Sequence, residues 1–79
     1  MPETVLELVL AAASEVFACP ARAEDDFFAL GGDSIAAVEL AVRLEEGLEV
    51  AVETELIVDS ADFAALAAVL AAARAGGGR

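Results

Sequence analysis

The sequence predicts an all-α fold, a small four-helix bundle with a long loop between helices one and two and a short third helix. Three observations carry this reading. Apolar residues recur at helical spacing in three separate stretches, and capping or breaking residues bound those stretches. The one segment that alternates like a strand has no second strand to pair with. At 79 residues the chain is one domain with limited room for a core. Apolar residues make up 59% of it, but twenty of them are alanine, so four Phe and the Leu, Ile and Val set must supply the volume.

The first helix spans residues 4–17. Thr4 followed by Glu7 is a capping-box spacing, and Val5, Val9, Ala12 and Val16 then form a stripe. Glu7 and Glu15 lie off that stripe, and Pro20 closes the segment. Residues 18–33 have no sustained period and make a long connection for so small a domain, a kind of loop that tends to carry function. Phe27, Phe28 and Leu30 are expected to pin it to the core. Cys19, within it, reads as a small semi-buried hydrophobe.

Ser34 opens the second helix, which runs to about Glu46, with Gly47 expected as the left-handed residue that ends it. Ala37, Leu40, Ala41 and Leu44 share one face of this helix and are assigned to the core. Ile35, Val38 and Val42 share a neighbouring face, so the helix is more apolar than one buried stripe requires. Residues 48–53 read as an extended loop and residues 54–58 as a short third helix. Asp59, Ser60 and Asp62 offer caps for a last helix with the stripe Phe63, Leu66, Ala67 and Leu70, ending near Arg74. The domain is read as residues 1–75, and residues 76–79 as a disordered glycine-rich tail.

Composition excludes several functions. Fifteen acidic residues against four Arg and no Lys give a net charge of -11, which argues against nucleic-acid binding and favours partners with basic surfaces. The same acidity also serves plain solubility. Without His, Lys, Tyr or Trp, the chain lacks the usual general base, the usual amine nucleophile and most zinc ligand sets. A self-sufficient enzyme and a metal site are not expected. One cysteine excludes an internal disulfide and fits a reducing cytoplasm. MPETVLEL does not read as a signal peptide, and the apolar run of residues 63–73 is shorter than the roughly 20 residues a bilayer requires. No membrane role is expected.

Attention then falls on Gly31-Gly32-Asp33-Ser34. A serine at a helix start ordinarily caps it, but Asp33 caps equally well, which leaves one hydroxyl spare. The double glycine allows backbone angles closed to other residues and keeps side chains away from Ser34. A phosphodiester on that hydroxyl would sit at the positive end of the helix dipole. A hydrolase elbow would require a second glycine where Ala36 stands, together with a histidine, and a nucleotide-binding loop would require a lysine. The serine is suited to modification by another enzyme.

The stretch DDFFALGGDSIAAVEL, residues 25–40, resembles the attachment motif of peptidyl carrier (thiolation) domains of nonribosomal peptide synthesis, within the acyl carrier protein superfamily. The likeness covers nearly the whole chain. It implies a bundle of the acyl carrier type, with 4'-phosphopantetheine attached to Ser34 by a separate magnesium-dependent phosphopantetheinyl transferase. An aminoacyl or peptidyl group would then ride on the arm as a thioester, loaded by an adenylation or other acyl-activating enzyme and passed to a condensation or tailoring enzyme. By the same resemblance Asp33, Ile35, Val38 and Val42 are partner contacts, Gly31 and Gly32 shape the loop around the arm, and the carrier itself is a non-catalytic monomer.

Two departures bear on the subtype. Many peptidyl carriers have His where Asp33 stands, and Asp33 with the strong acidity keeps an acyl carrier of polyketide or fatty acid synthesis open. Ala61-Asp62 replaces a frequent Pro-Thr before the last helix. A third reading is an unmodified helical interaction module in which Ser34 is only a cap. It predicts that Ser34→Ala costs about 1 kcal/mol and nothing else. The start at Met1 and the glycine tail lead to the expectation of a free-standing protein, although an excised domain with its linker has the same appearance. The arm is expected to stay largely outside the bundle, because an alanine-rich core leaves little room within.

Overall fold

The computed structural model describes residues 4–77, with side chains described through Arg74. The order is α1 (Val5–Phe17), α2 (Ser34–Leu48), α3 (Thr54–Asp59) and α4 (Phe63–Gly77), with no strand among the described residues. α1 packs against α2 and α4, and the short α3 packs against α2.

α1 begins as the Thr4 and Glu7 spacing predicts. The Thr4 hydroxyl accepts from the Glu7 N–H at 3.0 Å, and the Glu7 carboxylate accepts from the Thr4 N–H at 3.1 Å. The helix ends at Ala18, which is left-handed at φ 57° and donates its N–H to the Ser14 carbonyl. Val9, Ala12 and Ala13 are buried, whereas Val5 and Val16 pack at the edge of the core.

α2 corrects one expectation. Gly47 does not end the helix: it lies inside it, and Glu49 takes the left-handed position at φ 59°. Burial explains the shift, because carrying the helix to Leu48 places that side chain in the core at 3% exposure. α3 runs one residue past its predicted end, so Asp59 is helical. Of the three candidate caps, Asp62 takes the role, accepting from the Ala65 N–H at 2.8 Å. α4 continues past Arg74, and Gly76 and Gly77, expected in a disordered tail, lie within it. Gly78 and Arg79 lie outside the described residues.

The alternating segment after α2 is extended without being a strand. Val52 is buried and Val50 half-buried, whereas Glu49 and Ala51 face outward. The Glu45 carboxylate accepts from the Val52 N–H at 2.8 Å and holds the chain there. The core combines small alanines on α1 and α2 with Leu40, Leu44, Ile57, Phe63, Leu66 and Leu70. Alanine at the contact lets helix axes approach, and the larger side chains fill the space between the helices.

Candidate functional site

The site is built where the long loop meets α2. The loop is fastened at several points along its length. The Ser14 hydroxyl donates to the Leu10 carbonyl at 2.7 Å and accepts from the Ala21 N–H at 3.0 Å. Farther on, the Ala23 and Asp25 carbonyls accept from the Ala64 and Phe63 N–H groups, so the loop satisfies donors that the start of α4 would otherwise leave open. Residues 18–33 form no regular element, yet they are tied to α1 and to the start of α4.

The aromatic pair divides in a way that corrects the expectation of two anchors. Phe27 is buried at 2% exposure and meets Phe17 edge-to-face, with ring centroids 5.5 Å apart. Phe28 is 53% exposed and lies over Phe27 at 5.3 Å, so it covers the anchor without entering the core. Consecutive loop residues point in different directions, and one inward position was available. Leu30 packs half-buried at the core margin. Cys19, read as semi-buried, is exposed just past the end of α1.

The two glycines serve different ends. Gly31 has φ 96°, a conformation costly for any side chain, with open space around its Cα. Gly32 has no such angle. A Cβ on Gly32 would fall 2.4 Å from Phe27 Cε2 and 2.6 Å from Cδ2 and Cζ, so the backbone lies flat against the buried ring. Its N–H also donates to the Phe27 carbonyl at 3.1 Å.

Asp33 caps α2. It is extended, and its Oδ1 accepts from the Ala36 N–H at 2.9 Å while its carbonyl accepts from Ala37. Ser34 is the first helical residue and is exposed, and its hydroxyl makes no hydrogen bond among the described residues. The other two serines differ. Ser14 is engaged as described, and the Ser60 hydroxyl donates to the Leu56 carbonyl at 2.7 Å. One serine of three therefore presents a free hydroxyl, at the positive end of a helix dipole.

Beyond Ser34, α2 presents Ile35 at 71%, Val38 at 53% and Val42 at 47% exposure, whereas Ala37, Leu40 and Leu44 are buried. The division into two faces follows the sequence spacing. Glu39 and Glu46 are exposed beside the aliphatics, and Arg43 reaches back to Glu15 on α1 at 2.7 Å. The groove of about 330 Å³ between α1 and α2 lies at the far end of α2, around Leu44, Gly47 and Leu48. It is shallow and does not open at Ser34.

Among the described residues no group of His, Cys, Asp or Glu is arranged to hold a metal ion, and no helix is long and apolar enough to cross a membrane. An exposed hydroxyl with free approach at a helix start fits a covalently attached phosphodiester, whose charge the dipole favours. Comparison with curated proteins and with solved structures finds no match. Comparison with family models finds one, over residues 7–70, described as PP-binding: Phosphopantetheine attachment site. That span takes in all three serines, the loop and most of the bundle, and the chain belongs to this phosphopantetheine-attachment family, which carries 4'-phosphopantetheine covalently on a serine.

Proposed function

We propose that Ser34 is the attachment serine and that the chain is a peptidyl-type carrier, holding an aminoacyl or peptidyl group for partner enzymes of nonribosomal peptide or related natural-product synthesis. The observation that carries the attachment site is the state of the three hydroxyls: those of Ser14 and Ser60 are committed to backbone groups, and that of Ser34 is exposed and unbonded. With the arm in place, its terminal thiol supplies the sulfur that bears the cargo as a thioester.

The chain's own residues have positional roles. Asp33 directs its carboxylate to the Ala36 N–H, which leaves the Ser34 hydroxyl free to attack the pantetheine-bearing phosphorus of coenzyme A, breaking its phosphoanhydride bond and releasing adenosine 3',5'-bisphosphate as the hydroxyl loses its proton. Ala36 and Ala37 are buried and seat the first turn of α2 on the core. Gly31 turns the chain at φ 96° ahead of Asp33, a conformation that favours glycine. Among the described residues no hydrogen bond joins a carboxylate to the Ser34 hydroxyl, which fits a non-catalytic carrier whose hydroxyl proton is taken by a group of the transferase. Ile35, Val38 and Val42 are the apolar centre of the partner surface, with Asp33 at its Ser34 end.

Cargo class rests on the motif. Leu30-Gly31-Gly32 after Phe27-Phe28 favours the peptidyl type. Asp33 and the net charge of -11 favour a second reading, an acyl carrier of polyketide or fatty acid synthesis. The test loads the pantetheinylated protein in parallel with amino acids through adenylation enzymes and with acyl groups through acyl transferases. Aminoacyl mass increments alone support the peptidyl reading, and acyl increments alone support the second.

A further inference from the structure

The contact between Gly32 and the Phe27 ring lies two residues before Ser34, which rests on the reading of Ser34 as the attachment site. The ring cannot move aside freely. It is buried, and Phe17 and Phe28 hold it from two directions at 5.5 and 5.3 Å. The backbone is held too, through the Gly32 N–H on the Phe27 carbonyl. From Gly32 the chain passes through Asp33, which caps the helix, to the serine. We infer that Phe27 and Gly32 are positioning residues for the attachment reaction, setting where the Ser34 hydroxyl sits relative to the partner surface of α2.

A methyl group on Gly32 would have to move from 2.4 Å to an ordinary contact beyond 3.4 Å, so the loop or the ring shifts by about 1 Å. A displacement of that size at a reacting group can cost about 100-fold in rate, because transfer requires an aligned oxygen and phosphorus. The face that a transferase grips, Ile35, Val38 and Val42, is seated separately through Leu40, Ala41 and Leu44. Recognition and alignment therefore respond to different substitutions.

The kinetics separate positioning from mere folding. Misalignment lowers kcat and leaves the KM for the carrier nearly unchanged. Loss of folded protein instead raises apparent KM by the reciprocal of the folded fraction and leaves kcat intact. The test measures transfer from coenzyme A by a broad-specificity phosphopantetheinyl transferase with magnesium, using Gly32→Ala, Phe27→Leu, the double variant and Ser34→Ala. Leucine lacks the Cε2 and Cζ atoms that the new methyl would meet, and its Cδ2, unlike that of the planar ring, swings aside by rotation about χ2. The expected result is a kcat about tenfold or more lower for Gly32→Ala at a KM within about threefold, with the double variant restored to the kcat of Phe27→Leu.

An unchanged kcat for Gly32→Ala overturns the inference. If Gly32→Ala does not fold, Phe27→Leu decides: a kcat several-fold below that of the parent at an unchanged KM supports positioning, and the parent's kcat overturns it. Failure of the Ser34 reading is distinct, since it appears as a Ser34→Ala protein that still gains the phosphopantetheine mass.

Discussion

Asp33 and Ser34 are adjacent, and the division of labour between them makes a stability prediction for each. The cap is Asp33, so Asp33→Ala should cost about 1 kcal/mol in thermal or urea unfolding, with helix content retained. Among the described residues the Ser34 side chain makes no bond to lose, so Ser34→Ala should leave stability within about 0.5 kcal/mol of the parent while removing the proposed acceptor. A loss of about 1 kcal/mol at Ser34 would mean that its hydroxyl caps the helix, as the interaction-module reading requires. Gly47 offers a third test at this scale. It is helical, and a Cβ there would lie 3.9 Å from Leu8 Cδ2, an ordinary contact. Gly47→Ala should therefore stabilise the protein by about 0.5–1 kcal/mol, and destabilisation would contradict its place inside α2. That place was not legible in the sequence, where a glycine after a run of helix formers reads as a stop. What extends the helix is burial of Leu48, a tertiary gain that local propensity does not register.

At the scale of elements, α1 and α2 were legible because their signals are local. The capping box names the start of α1, and the spacing of α2 separates Leu40 and Leu44 from Ile35, Val38 and Val42 before any neighbour is known. The loop was legible as a functional segment but not in its contacts. Phe27 and Phe28 look alike in a stretch with no period, and only the packing of Phe17 and Gly32 selects the first as the anchor. The difference is measurable. Phe27→Ala should cost about 3–5 kcal/mol, enough to unfold much of so small a domain, whereas Phe28→Ala should cost about 1 kcal/mol or less. Equal costs for the two would contradict the division between anchor and cover. The extension of α4 past Arg74 was likewise invisible, since the glycines there read as a tail although the helix takes in Gly76 and Gly77.

For the whole molecule, the net charge is -11, and the exposed Glu39 and Glu46 lie on the same helix as the exposed aliphatic strip of Ile35, Val38 and Val42. Charge of this kind steers encounter with a basic surface, and in the proposed function the apolar strip holds the partner once docked. Raising salt from about 50 to about 500 mM should therefore raise the transferase KM for the carrier several-fold and leave kcat nearly constant. A salt-independent KM would place recognition on apolar contacts alone. The family was legible from one continuous motif, whereas cargo and partners depend on surfaces of other proteins that this sequence does not encode. The most direct test of the account is intact and fragment mass analysis after incubation with coenzyme A, magnesium and a broad-specificity phosphopantetheinyl transferase. One phosphopantetheine increment is expected, located on Ser34 and absent from folded Ser34→Ala. An increment on Ser14 or Ser60, or none on the folded protein with several transferases, would contradict it.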